Sequence, residues 1–108
     1  MSVNLAEHIE VAELYQFYKP LLTEKQQLMI QYYYLDNYTL SEIAEIENIS
    51  RNAVHDQLKR TVVKLHDFEM KLQLKEKSLK RESILNDFKD QMDEDTFKAL
   101  IDTLMKVE

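Results

Sequence analysis

Val11, Leu14, Tyr15 and Tyr18 recur three and four residues apart, the period of one helix face. This spacing predicts a first helix from about Leu5 to Tyr18. Pro20 ends it, because the residue before a proline is pushed out of the α region. Thr23 then reads as an N-cap, and Gln26 three places on completes a capping box. The second helix reaches about Leu35, with Leu28, Met29, Tyr32 and Leu35 as its apolar stripe. Asp36, Asn37 and Tyr38 form a polar turn. Thr39, with Glu42, caps a third helix whose inward residues are Leu40, Ile43 and Ala44, with Ile46 a further candidate. Glu47, Asn48 and Ile49 make the next turn, and Asn48 is the candidate left-handed residue. Ser50 caps a fourth helix with Val54, Leu58, Val62 and Leu65 on its apolar face.

From Arg51 to about Lys80 the chain has neither glycine nor proline. Leu58, Leu65, Leu72 and Leu79 fall at spacings of seven, with Val54, Val62 and Phe68 near the intervening positions. The pattern predicts one long helix whose far half packs on a partner stripe. That stripe belongs either to a second copy, giving a homodimer, or to the C-terminal helices. Lys75, Glu76 and Lys77 interrupt the seam and argue against an extended coiled coil. Two further helices are expected. One spans about Lys80 to Met92, with Ile84, Leu85, Phe88 and Met92 on one face. The other is capped by Asp93 and carries Phe97, Leu100, Ile101, Leu104 and Met105. The implied organisation is a helix-turn-helix domain over residues 1–66 and a helical extension over 67–108.

Composition agrees with an all-α fold. Glycine is absent and Pro20 is the single proline, whereas hairpin turns usually need glycine. No cysteine is present, so disulfides, thiolate metal sites and a cysteine nucleophile are excluded. The N-terminus has no basic start followed by an apolar run, as a signal peptide would. No apolar stretch approaches the ~20 residues needed to span a bilayer. The expectation is a cytoplasmic protein without membrane insertion. Net charge is −6, which disfavours a simple DNA binder, but its distribution is uneven. Residues 1–50 carry 2 basic and 8 acidic side chains, residues 51–81 carry 9 and 4, and residues 82–108 carry 3 and 8. A basic middle therefore lies between two acidic ends.

The basic part begins where a recognition helix would begin. From Leu40 to Lys59 the sequence fits a helix-turn-helix. Ala44 is the small residue that lets two helices cross closely, Asn48 turns the backbone, Ile49 plugs the core, and Val54 and Leu58 anchor the second helix. Arg51, Asn52, His55, Asp56 and Lys59 are left on its other side, available to a groove. Arg51, Lys59 and Arg60 are candidate phosphate contacts, and Asn52 and His55 are candidate base contacts. Ser50 and Lys64 complete the candidate nucleic-acid-binding set. Asp56 stands near the same surface and would repel phosphate.

The stretch from Leu22 to Ala44 resembles the front half of sigma factor region 4. Its marks are a Leu22-Thr23-Glu24 start, an aromatic-rich helix, and Ser41-Glu42-Ile43-Ala44. Ile49 to Val54 and Leu58-Lys59-Arg60 continue the likeness, which covers about 45 residues. Over nearly the whole chain the sequence is similar to the YlxM family, bacterial proteins described as DNA-binding and associated with the signal recognition particle. Phe17-Tyr18, Leu21-Leu22-Thr23, Tyr32 to Tyr34, Ser50 to Asp56, Leu58 to Thr61 and Phe68 to Leu72 carry that likeness. The resemblance implies an all-helical protein without enzymatic activity. It also implies a role around protein targeting, through the particle's RNA or its GTPases. Asn48 stands where the family usually has glycine. Glu47 stands where an apolar residue is common, and a small rotation of the third helix would let Ile46 take over.

Each feature also has a plainer reading. The helix-turn-helix serves equally as a three-helix packing unit used for protein contacts. Arg60, Lys64, Lys71, Lys75, Lys77, Lys80 and Arg81 fit a solvated helix face. Tyr32 is expected in the core, with Tyr33, Tyr34 and Tyr38 half-buried rather than forming a base-stacking platform. His8 and His66 lie far from His55 in sequence, and no second ligand has metal-site spacing. No cofactor is implied. No glycine-rich phosphate loop or nucleophile–histidine pairing is present.

Overall fold

In a computed structural model that describes residues 4–107, the chain forms six α-helices and no strand. They are α1 (Leu5–Tyr18), α2 (Glu24–Ile30), α3 (Leu40–Glu47), α4 (Arg51–Leu72), α5 (Leu74–Lys89) and α6 (Glu94–Met105). The chain groups into two compact units that divide between Lys75 and Glu76.

The start of each helix follows from a side chain that satisfies its orphan N–H groups. Asn4 accepts from the Glu7 N–H in α1. Thr23 and Gln26 form the reciprocal pair that opens α2, and Thr39 and Glu42 do the same for α3. Ser50 Oγ accepts from the Ala53 N–H of α4. Pro20 lies in a short 3₁₀ turn, Lys19–Leu21, just beyond α1.

The core of the first unit is built from α1 to α4. Val11, Leu14, Tyr15 and Tyr18 of α1 meet Ile43 of α3 and Val54, Leu58 and Leu65 of α4. Thr61 is buried with them and returns its hydroxyl to the Gln57 carbonyl at 2.8 Å. Ala44, Ile49 and Val62 pack at the margin.

Helix 2 differs from its expected face. Its continuation Gln31–Leu35 is a π turn, closed by the Asp36 N–H on the Gln31 carbonyl at 2.9 Å. The wider turn keeps residues four and five apart on one side. Met29, Ile30, Tyr33 and Tyr34 are therefore buried, whereas Leu28 and Leu35 are exposed. Tyr32, expected in the core, is only partly buried, and Tyr33 and Tyr34 take its place.

In α3 the stripe is Leu40, Ile43 and Ala44, and Ile46 is exposed. At about 100° per residue, Ile46 lies well off the centre of that stripe and Glu47 lies near it. Turning the helix to bury Ile46 would lift Ala44 away from α4. Asn48 is left-handed at φ 54°, and the Ile49 N–H reaches the Ala44 carbonyl at 3.1 Å. This is a Schellman-type stop with asparagine where glycine is commoner.

The single long helix expected from Arg51 to Lys80 is broken. Gln73 is left-handed at φ 55°, and a new helix starts at Leu74 rather than Lys80. The stop comes from distant residues. Tyr18 donates its hydroxyl hydrogen to the Glu69 carboxylate and accepts from the Leu74 N–H at 3.0 Å. Glu69 also accepts from the Lys75 N–H at 3.0 Å, and the Lys75 ammonium pairs with Glu13 at 3.0 Å. Leu58 and Leu65 are core residues, while Leu72 and Leu79 are exposed on separate helices. The four leucines therefore do not form one continuous seam.

The second unit holds most of α5 and all of α6. Asp93 caps α6 through the Thr96 N–H at 2.7 Å and hydroxyl at 2.9 Å. Those hydrogen bonds hold its carboxyl below the usual carboxylate range. Phe97, Leu100 and Ile101 are half-buried, but Ile84, Phe88, Leu104 and Met105 are exposed. No described residue beyond Glu76 is fully buried.

Candidate nucleic-acid interface

The helix-turn-helix is α3, the Asn48 turn and α4. The residues that bury one side of α4 fix where the others lie. Val54, Leu58, Thr61 and Leu65 define the inward stripe, and a rotation of about 100° per residue distributes the rest. Asn52, Asp56 and Val63 lie on the outward crest. Arg51, His55 and Lys59, four residues apart, share one flank. Arg60 and Lys64, also four apart, share the opposite flank.

The sequence-identified residues therefore make two groups rather than one. On the first flank, Arg51 lines a cavity of about 290 Å³ with His8 of α1 and the turn residues Asn37, Tyr38 and Thr39. One turn further along, His55 and Lys59 line a depression with Glu7 and Tyr34. On the second flank, Arg60 and Gln57 face Thr23, Lys25 and Gln26 at the start of α2. Ser50 is the cap of α4, its hydroxyl spent on the Ala53 N–H.

The cations differ in how free they are. Among the described residues, no ion pair or hydrogen bond engages the side chains of Arg51, Asn52 or Lys59, and all three are exposed. Arg60 donates from Nε to the Asp56 carbonyl one turn back, at 3.3 Å. Lys64 sits over the Phe68 ring at 5.8 Å. His55 Nδ1 lies 3.8 Å from Asp56. Asp56 on the crest and Glu7 beside Lys59 keep the first flank from being uniformly positive.

Sequence reasoning passed over His8, Asn37 and Lys25 as site residues, and it set Tyr38 aside as half-buried rather than base-stacking. His8 belongs to α1 and packs its ring against Tyr33 and Tyr34, with centroids 5.3 and 4.7 Å away. Only tertiary packing brings it to Arg51, and no local signal marks it. Asn37 is left-handed at φ 59°, a state asparagine tolerates better than most residues. That tolerance was a usable signal within a turn already recognised. Among the described residues no group of three or more histidine or acidic side chains could hold a metal ion.

A family description reading "Putative helix-turn-helix protein, YlxM / p13 like" matches residues 5–104. The chain belongs to this family. Its relatives include the UPF0122 protein of Geobacillus sp. (strain WCH70), 48% identical over 77 residues, 71% of this chain and 70% of the relative. The UPF0122 protein of Halalkalibacterium halodurans is 42% identical over 99 residues, 88% of this chain and 91% of its own. That of Streptococcus gordonii is 44% identical over 84 residues, 78% and 76%. The helix-turn-helix in that description is in keeping with the all-α architecture. No helix among the described residues is long and apolar enough to cross a membrane.

Proposed function

We propose that this protein binds nucleic acid, DNA or the signal recognition particle RNA, through the start and first flank of α4. The observation that carries the reading is the exposed, unengaged set Arg51, Asn52 and Lys59 at the head of the second helix of a helix-turn-helix. Arg51 and Lys59 supply phosphate contacts, and Asn52 and His55 stand where base edges are reached. Arg60 and Lys64 form a secondary contact beside Lys25, and Ser50 holds the helix start. The resemblance to YlxM proteins extends this to a regulatory or accessory role in protein targeting, built on a sigma region 4-like unit.

The test is salt-dependent binding of duplex DNA and of signal recognition particle RNA. Each phosphate neutralised contributes about −0.9 to the slope of log affinity against log salt on B-DNA. Arg51→Ala with Lys59→Ala should weaken binding and flatten the slope by about 2. Arg60→Ala alone should do less, because it lies on the other flank. Failure of the unmutated protein to bind either nucleic acid at low salt would exclude the reading.

A second reading has its own support. Asp56 on the crest and Glu7 on the flank fit a protein partner better than a phosphate backbone, so the same surface would serve an adaptor that binds targeting-pathway GTPases. Binding of such a GTPase, lost with Asp56→Lys and unaffected by added nucleic acid, is its signature. Homodimerisation is proposed from the exposed apolar positions of α5 and α6, with residues 67–108 as the extension that supplies them. A monomer mass by light scattering at micromolar concentration would exclude it.

A further inference from the structure

We propose that the cavity between Arg51 and the Asn37–Thr39 turn holds one unstacked nucleotide of a single-stranded or bulged nucleic acid. This rests on the nucleic-acid reading above and narrows its substrate to unpaired nucleotides.

Size comes first. At about 290 Å³ the cavity is at the lower end of small-ligand sites, room for one base and too small for the edge of a duplex. Its lining comes next. Tyr38 is stacked on Tyr32, with ring centroids 5.4 Å apart and planes 11° from parallel, yet remains 36% exposed. A ring fixed from behind in this way is a preorganised stacking partner, and bases stack on aromatic side chains without regard to sequence.

The polar groups converge on the same space. Tyr33 lines the cavity and is only 7% exposed, and its hydroxyl has no hydrogen-bond partner among the described residues. Among the described residues no buried side-chain oxygen or nitrogen lacks a partner, so this hydroxyl is open to solvent and free to donate to a base edge. The left-handed backbone of Asn37 places a carboxamide at the rim, with one acceptor and two donors for a second edge contact. Arg51 lies at the mouth with no ion pair and is placed for the phosphate.

The cavity also leads somewhere. It sits at the first residue of α4, so a strand leaving it runs past His55 and Lys59 on the same flank. A paired base presents its edges while its faces stay stacked, and it enters such a site only after extrusion from the duplex. A nucleotide already unpaired enters without that cost.

The experiment uses the full chain and fluorescence anisotropy with two labelled RNA hairpins, one with a fully paired stem and one with a single-nucleotide bulge. Adenosine monophosphate serves as a competitor. The bulged hairpin should bind about tenfold tighter than the paired one, the scale of one stacked base. Tyr38→Leu should abolish that difference and leave the paired stem unchanged, while Tyr38→Phe keeps it. Tyr33→Phe should weaken only the bulged hairpin, by about threefold, the scale of one hydrogen bond. Equal affinity for the two hairpins, or equal losses on both with Tyr38→Leu, overturns the proposal and leaves nucleic-acid binding standing. Adenosine monophosphate that binds through Tyr38 without any preference for the bulge makes this a free-nucleotide site, and also overturns it. Binding of neither hairpin overturns the proposal, and the duplex DNA measurement above then decides the nucleic-acid reading separately.

Discussion

Ile43 in α3 and Ile101 in α6 hold similar places in similar apolar stripes. Ile43 is fully buried, whereas Ile101 is half-buried and its neighbours Leu104 and Met105 are exposed. The difference lies in what surrounds each stripe within its own unit. In the first, α3 meets α4 and the end of α2 while α1 closes the other side. In the second, two helices have no third to close over them. A stripe reports which face of a helix is apolar, and a core needs several such faces arranged to cover one another.

The largest contrast should appear in stability. Ile43→Ala or Leu58→Ala should cost about 3 kcal/mol, the usual scale for emptying a packed core position. Ile101→Ala and Leu104→Ala should each cost less than about 1 kcal/mol, as partly exposed sites do. All six tyrosines lie between Tyr15 and Tyr38, so tyrosine fluorescence during urea unfolding reports the first unit alone. Far-ultraviolet circular dichroism reports both units. Matching losses at Ile43 and Ile101 would mean that the second unit has a core of its own strength.

The tyrosines give a second contrast, in pH. Burial, with Glu7 and Tyr33 adding to it, pushes Tyr34 up to about 12, and burial also raises Tyr15 and Tyr18. The folded chain therefore holds these protons more tightly than the unfolded chain, whose tyrosines titrate near 10. Above that value the unfolded state binds fewer protons, so stability falls as pH rises. The contribution is complete below about pH 10 and, for Tyr34, is lost as pH rises toward about 12. Thermal midpoints should decline across that window in the first unit, and Tyr34→Phe should make the decline shallower. A midpoint that stays flat through the window, or a decline unchanged by Tyr34→Phe, would remove the effect.

What the sequence disclosed was local. The Thr23/Gln26 and Thr39/Glu42 boxes, the left-handed Asn48 and the Asp93 cap each involve residues within a few positions of one another. Spacing along α4 likewise put Arg51, Asn52, His55, Asp56 and Lys59 on the side away from the core, without separating the flank of Arg51 and Lys59 from that of Arg60. The π turn was hidden, because Leu28 and Leu35 fit an ideal helix stripe as well as Ile30 and Tyr34 do. The nearness of His8 to Arg51 and of Lys25 to Arg60 was hidden too, since each depends on how helices cross. Gln73 shows the limit most plainly. No glycine or proline marks it, and although Glu69 is close by, the stop also needs Tyr18, 56 residues before the N–H that it accepts from.

The smallest expected effect follows from that stop. A residue with a Cβ pays roughly 1–2 kcal/mol in the left-handed region, so Gln73 sits there at a cost. The Tyr18 hydroxyl and the Glu69 carboxylate offset it by taking the Leu74 and Lys75 N–H groups, which open α5. Glycine removes the Cβ penalty but loses more backbone entropy on folding, about 0.5–1 kcal/mol. Gln73→Gly should therefore raise the stability of the first unit by no more than about 1 kcal/mol. It should also soften the effect of Tyr18→Phe, because glycine needs less help to stay left-handed. If Gln73→Gly instead lowers the tyrosine-detected midpoint clearly, the left-handed turn is not where the first unit stores this strain.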